Sequence, residues 1–223
     1  MPPLDLVVFD MAGTTIRASD QVPAAFREAF ARIDIALSDE EIQAIRGRSK
    51  REAISEFLTQ HRKAGGGQPD PMRVYGDFQQ ILTQRYEAQG IETINGADAA
   101  FDWLKTRDVR IALNTGFDRN LACLLIRMVG WDKTIDVVVC NDDVPRGRPA
   151  PYLLFRAMEW TDCESVRHVA AVGDTIADLQ AASNAGVQWS IGVSSGAHTE
   201  DQLRSHPHTA IIDSVAELPG VFE

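Results

Sequence analysis

The sequence predicts an α/β chain built on a central, mostly parallel sheet, with an α-helical insert after the first strand. Three observations carry this. Short apolar runs of strand length recur along the chain, amphipathic stretches of helical length separate the later ones, and residues 18–94 hold helical signals with no clear strand. The first run, LDLVVFD at 4–10, is apolar almost throughout, as expected of a strand covered on both faces. RIALNT (110–115), VVVC (137–140), HVAAVGD (168–174) and WSIGV (189–193) follow, with TAIIDS (209–214) as a weaker sixth. Residues 97–107, 118–129, 149–160 and 175–185 read as the helices between them. Such alternation with short links makes a parallel sheet with helices on both faces.

The insert has its own punctuation. Ser38 and Glu41 form an S-x-x-E capping box ahead of Ile42 and Ile45. Lys50 to Ala64 reads as a helix stopped by Gly65-Gly66-Gly67, a surface turn. Pro71 to Gln89 reads as another, ended by Gly90. The expected division is a core of residues 1–17 and 95–223 and an insert of residues 18–94.

Bulk properties narrow the function. The chain has 223 residues, 44% of them hydrophobic, enough for one large α/β domain with a modest insertion. A formal charge of −10 argues against nucleic acid as a partner, because phosphate backbones need clustered Lys and Arg. Cys123, Cys140 and Cys163 are far apart and show neither CxxC nor zinc-ligand spacing. With no basic, apolar leader and no run of about 20 apolar residues, a soluble cytoplasmic protein is expected. His61 reads as a surface histidine, and His198, His206 and His208 lack metal-ligand spacing.

The chemistry should lie at the carboxyl ends of the strands, where open α/β sheets bind ligands. Asp10, Asn114-Thr115-Gly116 and Gly173-Asp174 fall there. Asp10 looks exposed at its strand tip, and taken alone it could be a helix cap or a surface carboxylate. Asp178 follows Asp174 by about one helical turn. Carboxylates brought together repel one another, and a hard divalent cation resolves the repulsion. Asp10 and Asp174 are therefore candidate Mg²⁺ ligands, the Ala12 carbonyl is a third candidate, and Asp178 is expected to stand behind them. Asp10 could also attack phosphorus once the phosphoryl charge is neutralised. The Thr115 hydroxyl, the Gly116 amide and a cation are the candidate donors. Arg148, just before a Pro-started helix, is favoured over Arg146 as that cation.

Together, D-x-A-G-T-T at 10–15, Thr115, Arg148 and GDTIAD at 173–178 resemble the four motifs of the haloacid dehalogenase superfamily, in order and over nearly the whole chain. The D-x-A-G-T start, the arginine at 148 and the run DDVPRGRPAPYLLFRAM are similar to its phosphonatase-like branch. The resemblance implies a Rossmann-like core with an α-helical cap, Asp10 as nucleophile and Mg²⁺ on Asp10, Ala12 and Asp174. It also implies a homodimer paired through the cap.

Ala12 then becomes informative. Most of the superfamily carries an acid there that protonates an alkoxide leaving group, help worth roughly 10²–10⁴ in rate. Alanine cannot give it. A carbon leaving group removes the need, provided a neutral amine first converts a neighbouring carbonyl to an iminium. IRGRSKREAI (45–54) supplies Lys50, which matches the phosphonatase cap lysine in its G-x-x-K spacing. Arg46, Arg48 and Arg51 flank it in sequence, and nearby positive charge disfavours the ammonium form. The resemblance thus implies cleavage of a C–P bond in phosphonoacetaldehyde or a related 2-oxophosphonate through a Lys50 Schiff base and an aspartyl phosphate. Three positions depart from the family pattern: Ala53 replaces a histidine, Phe117 a tyrosine and Arg46 a methionine. These leave the organic part of the substrate open, with Arg46 suiting a more anionic group. Two alternatives remain: a Mg²⁺-dependent phosphatase or phosphomutase acting on a small phosphorylated metabolite, and a non-catalytic phospho-ligand binder.

Overall fold

The structure is a computed structural model and describes residues 3–17, 20–44, 48–62 and 69–222. The chain divides into two compact units, one of Met1–Ala18 with Ile91–Glu223 and one of Ser19–Gly90. Strand β1 (Leu6–Asp10) opens the first, and all five of its residues are buried.

The second unit follows β1 and is helical, with α1 (Gln21–Ala31), α2 (Asp39–Ala44), α3 (Lys50–Gln60) and α4 (Pro71–Gln89). Phenylalanines at helical spacing build its core: Phe26 packs on Phe78 with ring centroids 4.5 Å apart, and Phe30 meets Phe57 edge-on at 6.0 Å. The Ser38 capping box forms as expected. The Ser38 hydroxyl accepts from the Glu41 N–H at 3.2 Å, and the Glu41 carboxylate accepts from the Ser38 N–H at 2.8 Å. Helix α4 begins with Pro71 after the Asp70 cap and ends at Gly90, whose φ of 75° suits glycine. Helix α3 stops at Gln60 instead of running to Ala64. The cap residue His61 leaves helical geometry, and its ring pairs with Glu41 at 2.5 Å, so this histidine ties two helices together. The Gly65–Gly67 turn lies outside the described residues.

The first unit continues with α5 (Ala97–Lys105), β2 (Arg110–Asn114), α6 (Arg119–Val129), β3 (Val137–Val139), α7 (Tyr152–Trp160), β4 (Val169–Gly173), α8 (Ile176–Ala185), β5 (Trp189–Val193), α9 (Glu200–Arg204), β6 (Ala210–Ile212) and α10 (Leu218–Phe222). All six strands are parallel, in the order β3-β2-β1-β4-β5-β6. The predicted fold class is the one found. The weak sixth strand is present but short, at the sheet edge. The helix expected from residue 149 begins at Tyr152, after a turn through Pro149 and Pro151.

Chain order reverses between β1 and β4, which sets the ligand-binding crevice of such sheets at their carboxyl ends. Behind that edge, Phe9 meets Phe101 edge-on at 5.3 Å, Phe101 meets Trp131 at 5.0 Å, and the Trp131 indole N–H donates to Asp98 at 2.7 Å. On the face covered by α7, Leu153, Leu154 and Ala157 pack with Leu6, Val8, Ala112 and Val139. The three cysteines are free. Among the described residues, no helix is long and apolar enough to cross a membrane.

Candidate functional site

The end of β1 turns sharply. The Met11 carbonyl accepts from the N–H groups of Thr15 and Ile16, both at 2.9 Å, and the Gly13 N–H donates to the Ile16 carbonyl at 2.7 Å. Gly13 sits at φ 98°, where a side chain would be strained, and a Cβ there would lie 2.3 Å from Asp174 Oδ2. The AGTT turn thus folds back on the next carboxylate, and the Thr14 hydroxyl donates to Asp174 Oδ1 at 3.3 Å.

Asp174 follows the end of β4. Thr175 caps α8, and Asp178 completes a capping box by accepting from the Thr175 N–H at 3.0 Å. A Cβ on Gly173 would lie 2.3 Å from Asp178 Cγ, so glycine lets the helix start this close to the strand. Asp10, Asp174 and Asp178 each bring a carboxylate oxygen within 4.8 Å of the others. Asp10 is 5% exposed and Asp174 1%, so the expectation of an exposed Asp10 is corrected. The turn and the neighbouring strand ends cover it.

Arg148 enters from the turn before α7 and is 4% exposed. It pairs with Asp10 at 2.7 Å and with Asp178 in a still shorter contact, whereas Arg146 is exposed. Burial alone would lower the Arg148 pKa, but Asp10 and Asp178 outweigh it and hold the guanidinium charged. Its Nε is buried and has no hydrogen-bond partner among the described residues, so a donor remains for an anion. Burial lifts Asp10 to about 6, with Asp178 adding to the shift and Arg148 opposing it. Asp174 is raised well above the usual carboxylate range by burial, then by Asp10 and Asp178.

Three carboxylates against one guanidinium leave two excess negative charges when all are ionised. A hard divalent cation held by buried oxygens offsets them, so the residues fit a metal site of the Mg²⁺ kind. A second cluster, Cys140, Asp142 and Asp143, is already satisfied. Arg119 pairs with Asp143 at 2.5 Å, its backbone N–H reaches Asp142 at 3.3 Å, and Asp143 also caps the Cys140 N–H at 2.7 Å.

Thr115 and Gly116 follow the end of β2, whose Asn114 pairs in register with Asp10. The Thr115 hydroxyl oxygen accepts from the Phe117 N–H at 3.1 Å, which leaves its O–H as a donor. Lys50 lies in the helical unit, as the first residue of α3 after the Ser49 cap. It is 7% exposed, and its Nζ donates to the Arg48 carbonyl at 3.0 Å. Of its expected arginine neighbours, Arg48 pairs with Glu56 at 2.7 Å, Arg51 is exposed, and Arg46 lies outside the described residues.

Sequence reasoning missed the loop after β5. The Ala197 N–H donates to Asp174 Oδ2 at 2.6 Å, and the Ser195 hydroxyl donates to the Gly13 carbonyl at 2.8 Å. The signal was a serine- and glycine-containing segment at the carboxyl end of a strand on the same sheet edge.

Residues 7–192 match the family model described as haloacid dehalogenase-like hydrolase. A protein named phosphonoacetaldehyde hydrolase from Syntrophobacter fumaroxidans is 32% identical over 235 residues, spanning 99% of this chain and 84% of that protein. The crystal structure of a phosphonoacetaldehyde hydrolase-like protein from Oleispira antarctica superposes with a TM-score of 0.85 at 26% identity, over 98% of this chain and 91% of that one. A β-phosphoglucomutase from Clostridium difficile shares the fold, with a TM-score of 0.83 at 15% identity over 96% of this chain and 93% of its own. This chain belongs to the haloacid dehalogenase-like hydrolase family and resembles its phosphonatase-like members.

Proposed function

We propose that this hydrolase cleaves the C–P bond of phosphonoacetaldehyde or a related 2-oxophosphonate, with Asp10 as nucleophile and Lys50 as the Schiff-base lysine. The observation that carries the reading is the near-complete burial of Lys50 at the start of α3, together with an alanine where an acid would serve an oxygen leaving group. Buried lysines are rare and lose their charge readily.

In this reading the helical unit, residues 18–94, is the lysine-bearing cap, and residues 1–17 and 95–223 form the phosphoryl-handling core. The neutral Lys50 amine adds to the substrate carbonyl, and with one proton taken up from solvent the carbinolamine hydroxyl leaves as water, giving a protonated imine. An Asp10 carboxylate oxygen attacks phosphorus. The C–P bond breaks, and its electron pair moves onto carbon and into the iminium, forming a neutral enamine. Protonation at carbon and hydrolysis release the carbonyl product and regenerate the amine. Water then cleaves the aspartyl phosphate to inorganic phosphate. Arg148, Thr115 and the Gly116 amide hold the phosphoryl oxygens, and the unpaired Arg148 Nε supports that role. Asp10, Asp174 and the Ala12 carbonyl would hold Mg²⁺, with Asp178 fixing Arg148 behind them, and the ion would neutralise phosphoryl charge.

A phosphatase or phosphomutase acting on an oxygen ester would need a proton donor beside Asp10, and Ala12 supplies none. Ala53 and Phe117 bear on the organic group instead, and a substituted 2-oxophosphonate accommodates them. The test is to incubate the protein with 2-oxophosphonates and borohydride and to seek a reduced adduct on Lys50 by mass spectrometry. An adduct, with C–P turnover lost in Lys50→Ala, is expected. Phosphate release with no adduct, and turnover kept in Lys50→Ala, would refute the imine route. Loss of all Mg²⁺-dependent phosphate release in Asp10→Asn would separate either enzyme from a mere binder.

A further inference from the structure

The loop between β5 and α9 reaches back across the sheet edge to the end of β4. Three of its residues make directed contacts there. The Ser195 hydroxyl donates to the Gly13 carbonyl at 2.8 Å, the Ala197 N–H donates to Asp174 Oδ2 at 2.6 Å, and the His198 N–H donates to the Asp174 backbone carbonyl at 3.3 Å. Between them, Gly196 lies against the carboxylate itself. A Cβ on Gly196 would stand 2.0 Å from Asp174 Oδ2 and 2.4 Å from its Cγ. From the other side, a Cβ on Gly13 would stand 2.3 Å from the same oxygen and 3.0 Å from the Gly196 Cα.

Two Cα atoms without side chains therefore flank one carboxylate oxygen, and an amide N–H holds it from the loop. Neither flank can yield without moving backbone. Among the described residues, the one hydrogen bond to Asp174 Oδ1 is the longer Thr14 contact at 3.3 Å, and it is the oxygen left for other duties. We propose that Ser195, Gly196 and Ala197 are positioning residues that fix Asp174 so that Oδ1, and not Oδ2, serves a divalent cation. The proposal rests on the reading of Asp10 and Asp174 as a metal site. It assigns to a segment with no metal ligand of its own the job of setting metal affinity. Groups that orient a ligand in this way typically govern affinity by about 10–100-fold.

The test is Mg²⁺ binding to the full-length protein, by isothermal titration and by Mg²⁺-dependent melting, with no substrate present. Gly196→Ala should weaken Mg²⁺ by at least about tenfold, while its melting in chelator shows that it folds. Ser195→Ala, which frees the latch on Gly13 without adding bulk, should weaken it less. Gly220→Ala, where a Cβ meets nothing within 4 Å, should bind as wild type. In an Asp174→Asn background, Gly196→Ala should have little further effect on Mg²⁺, because both changes act on one ligand. A folded Gly196→Ala that binds Mg²⁺ like wild type would overturn the proposal and leave the metal site standing. If Gly196→Ala does not fold, wild-type affinity in Ser195→Ala overturns it equally. A wild-type protein that binds no Mg²⁺ would overturn both the site and the role of the loop.

Discussion

Replacing Asp10 by asparagine should stabilise the protein in chelator, by an amount that depends on pH. Asp10 is buried, and its pKa in the folded protein is raised from 3.8 to about 6, chiefly by burial. The sign follows from linkage. Where the unfolded chain has ionised its Asp10 and the folded chain has not, the folded state binds more protons, and stability falls as pH rises. The fall begins near the unfolded value of 3.8 and is complete above about 6. At about 1.4 kcal/mol per pKa unit, Asp10 alone costs the folded protein on the order of 3 kcal/mol at neutral pH. Asparagine keeps the shape and does not ionise. For a chain of this size the gain corresponds to roughly 6–12 °C in Tm. Thermal and urea unfolding of wild type and Asp10→Asn, in chelator at about pH 4 and about pH 7.5, measure it. The difference should be large at the higher pH and close to zero at the lower. An asparagine variant no more stable than wild type at the higher pH, or a difference equal at both, would refute the electrostatic account of this site. Saturating Mg²⁺ should narrow the gap, because a cation that binds only the folded state raises its stability.

Arg148→Met should destabilise the protein in chelator by about 3–5 kcal/mol in urea titrations, since it leaves two buried carboxylates without their cation. Combined with Asp10→Asn, it should cost less than when made alone. Glu41→Gln tests the joint between α2 and α3. The Ser38 N–H and His61 hold the Glu41 pKa below 4.5, so its contribution is present above that value and lost as pH falls through the lower folded value. The stability difference between wild type and Glu41→Gln should therefore be largest near neutrality and shrink in acid. Phe9→Ala, directly behind Asp10 in the aromatic stack, should cost about 3–5 kcal/mol in chemical denaturation.

The parallel sheet was legible because its strands are apolar on both faces and cannot be mistaken for alternating surface strands. Asp10, Asp174, Asp178 and Arg148 were legible because strand ends and helix starts place them on one edge. Their mutual burial was not, since it depends on a turn folding back and on glycines at 13, 173 and 196, where a side chain would collide with the Asp174 or Asp178 carboxylate. The end of α3 was misread because His61 finds Glu41, a partner twenty residues away that no local signal announces. The Ser195–Ala197 contacts were missed for a similar reason: they run from one hydroxyl to a backbone carbonyl, from one backbone N–H to Asp174, and past a glycine, which carry little chemical signature in a sequence.

The register of β1 has a consequence for how the protein is made. Leu6 pairs with Arg110 on one side and with Val169 on the other, so the strand of this sheet that is synthesised earliest sits at its centre. At about 5–20 residues per second, its second neighbour emerges roughly 8–30 s later. Until β2 emerges the apolar segment Leu6–Phe9 has both hydrogen-bonding edges unfilled, and until β4 follows one of them stays open, the kind of stretch that pairs with other chains. Nascent-chain chaperones should therefore engage this protein at the β1 segment and release it once β4 has been synthesised.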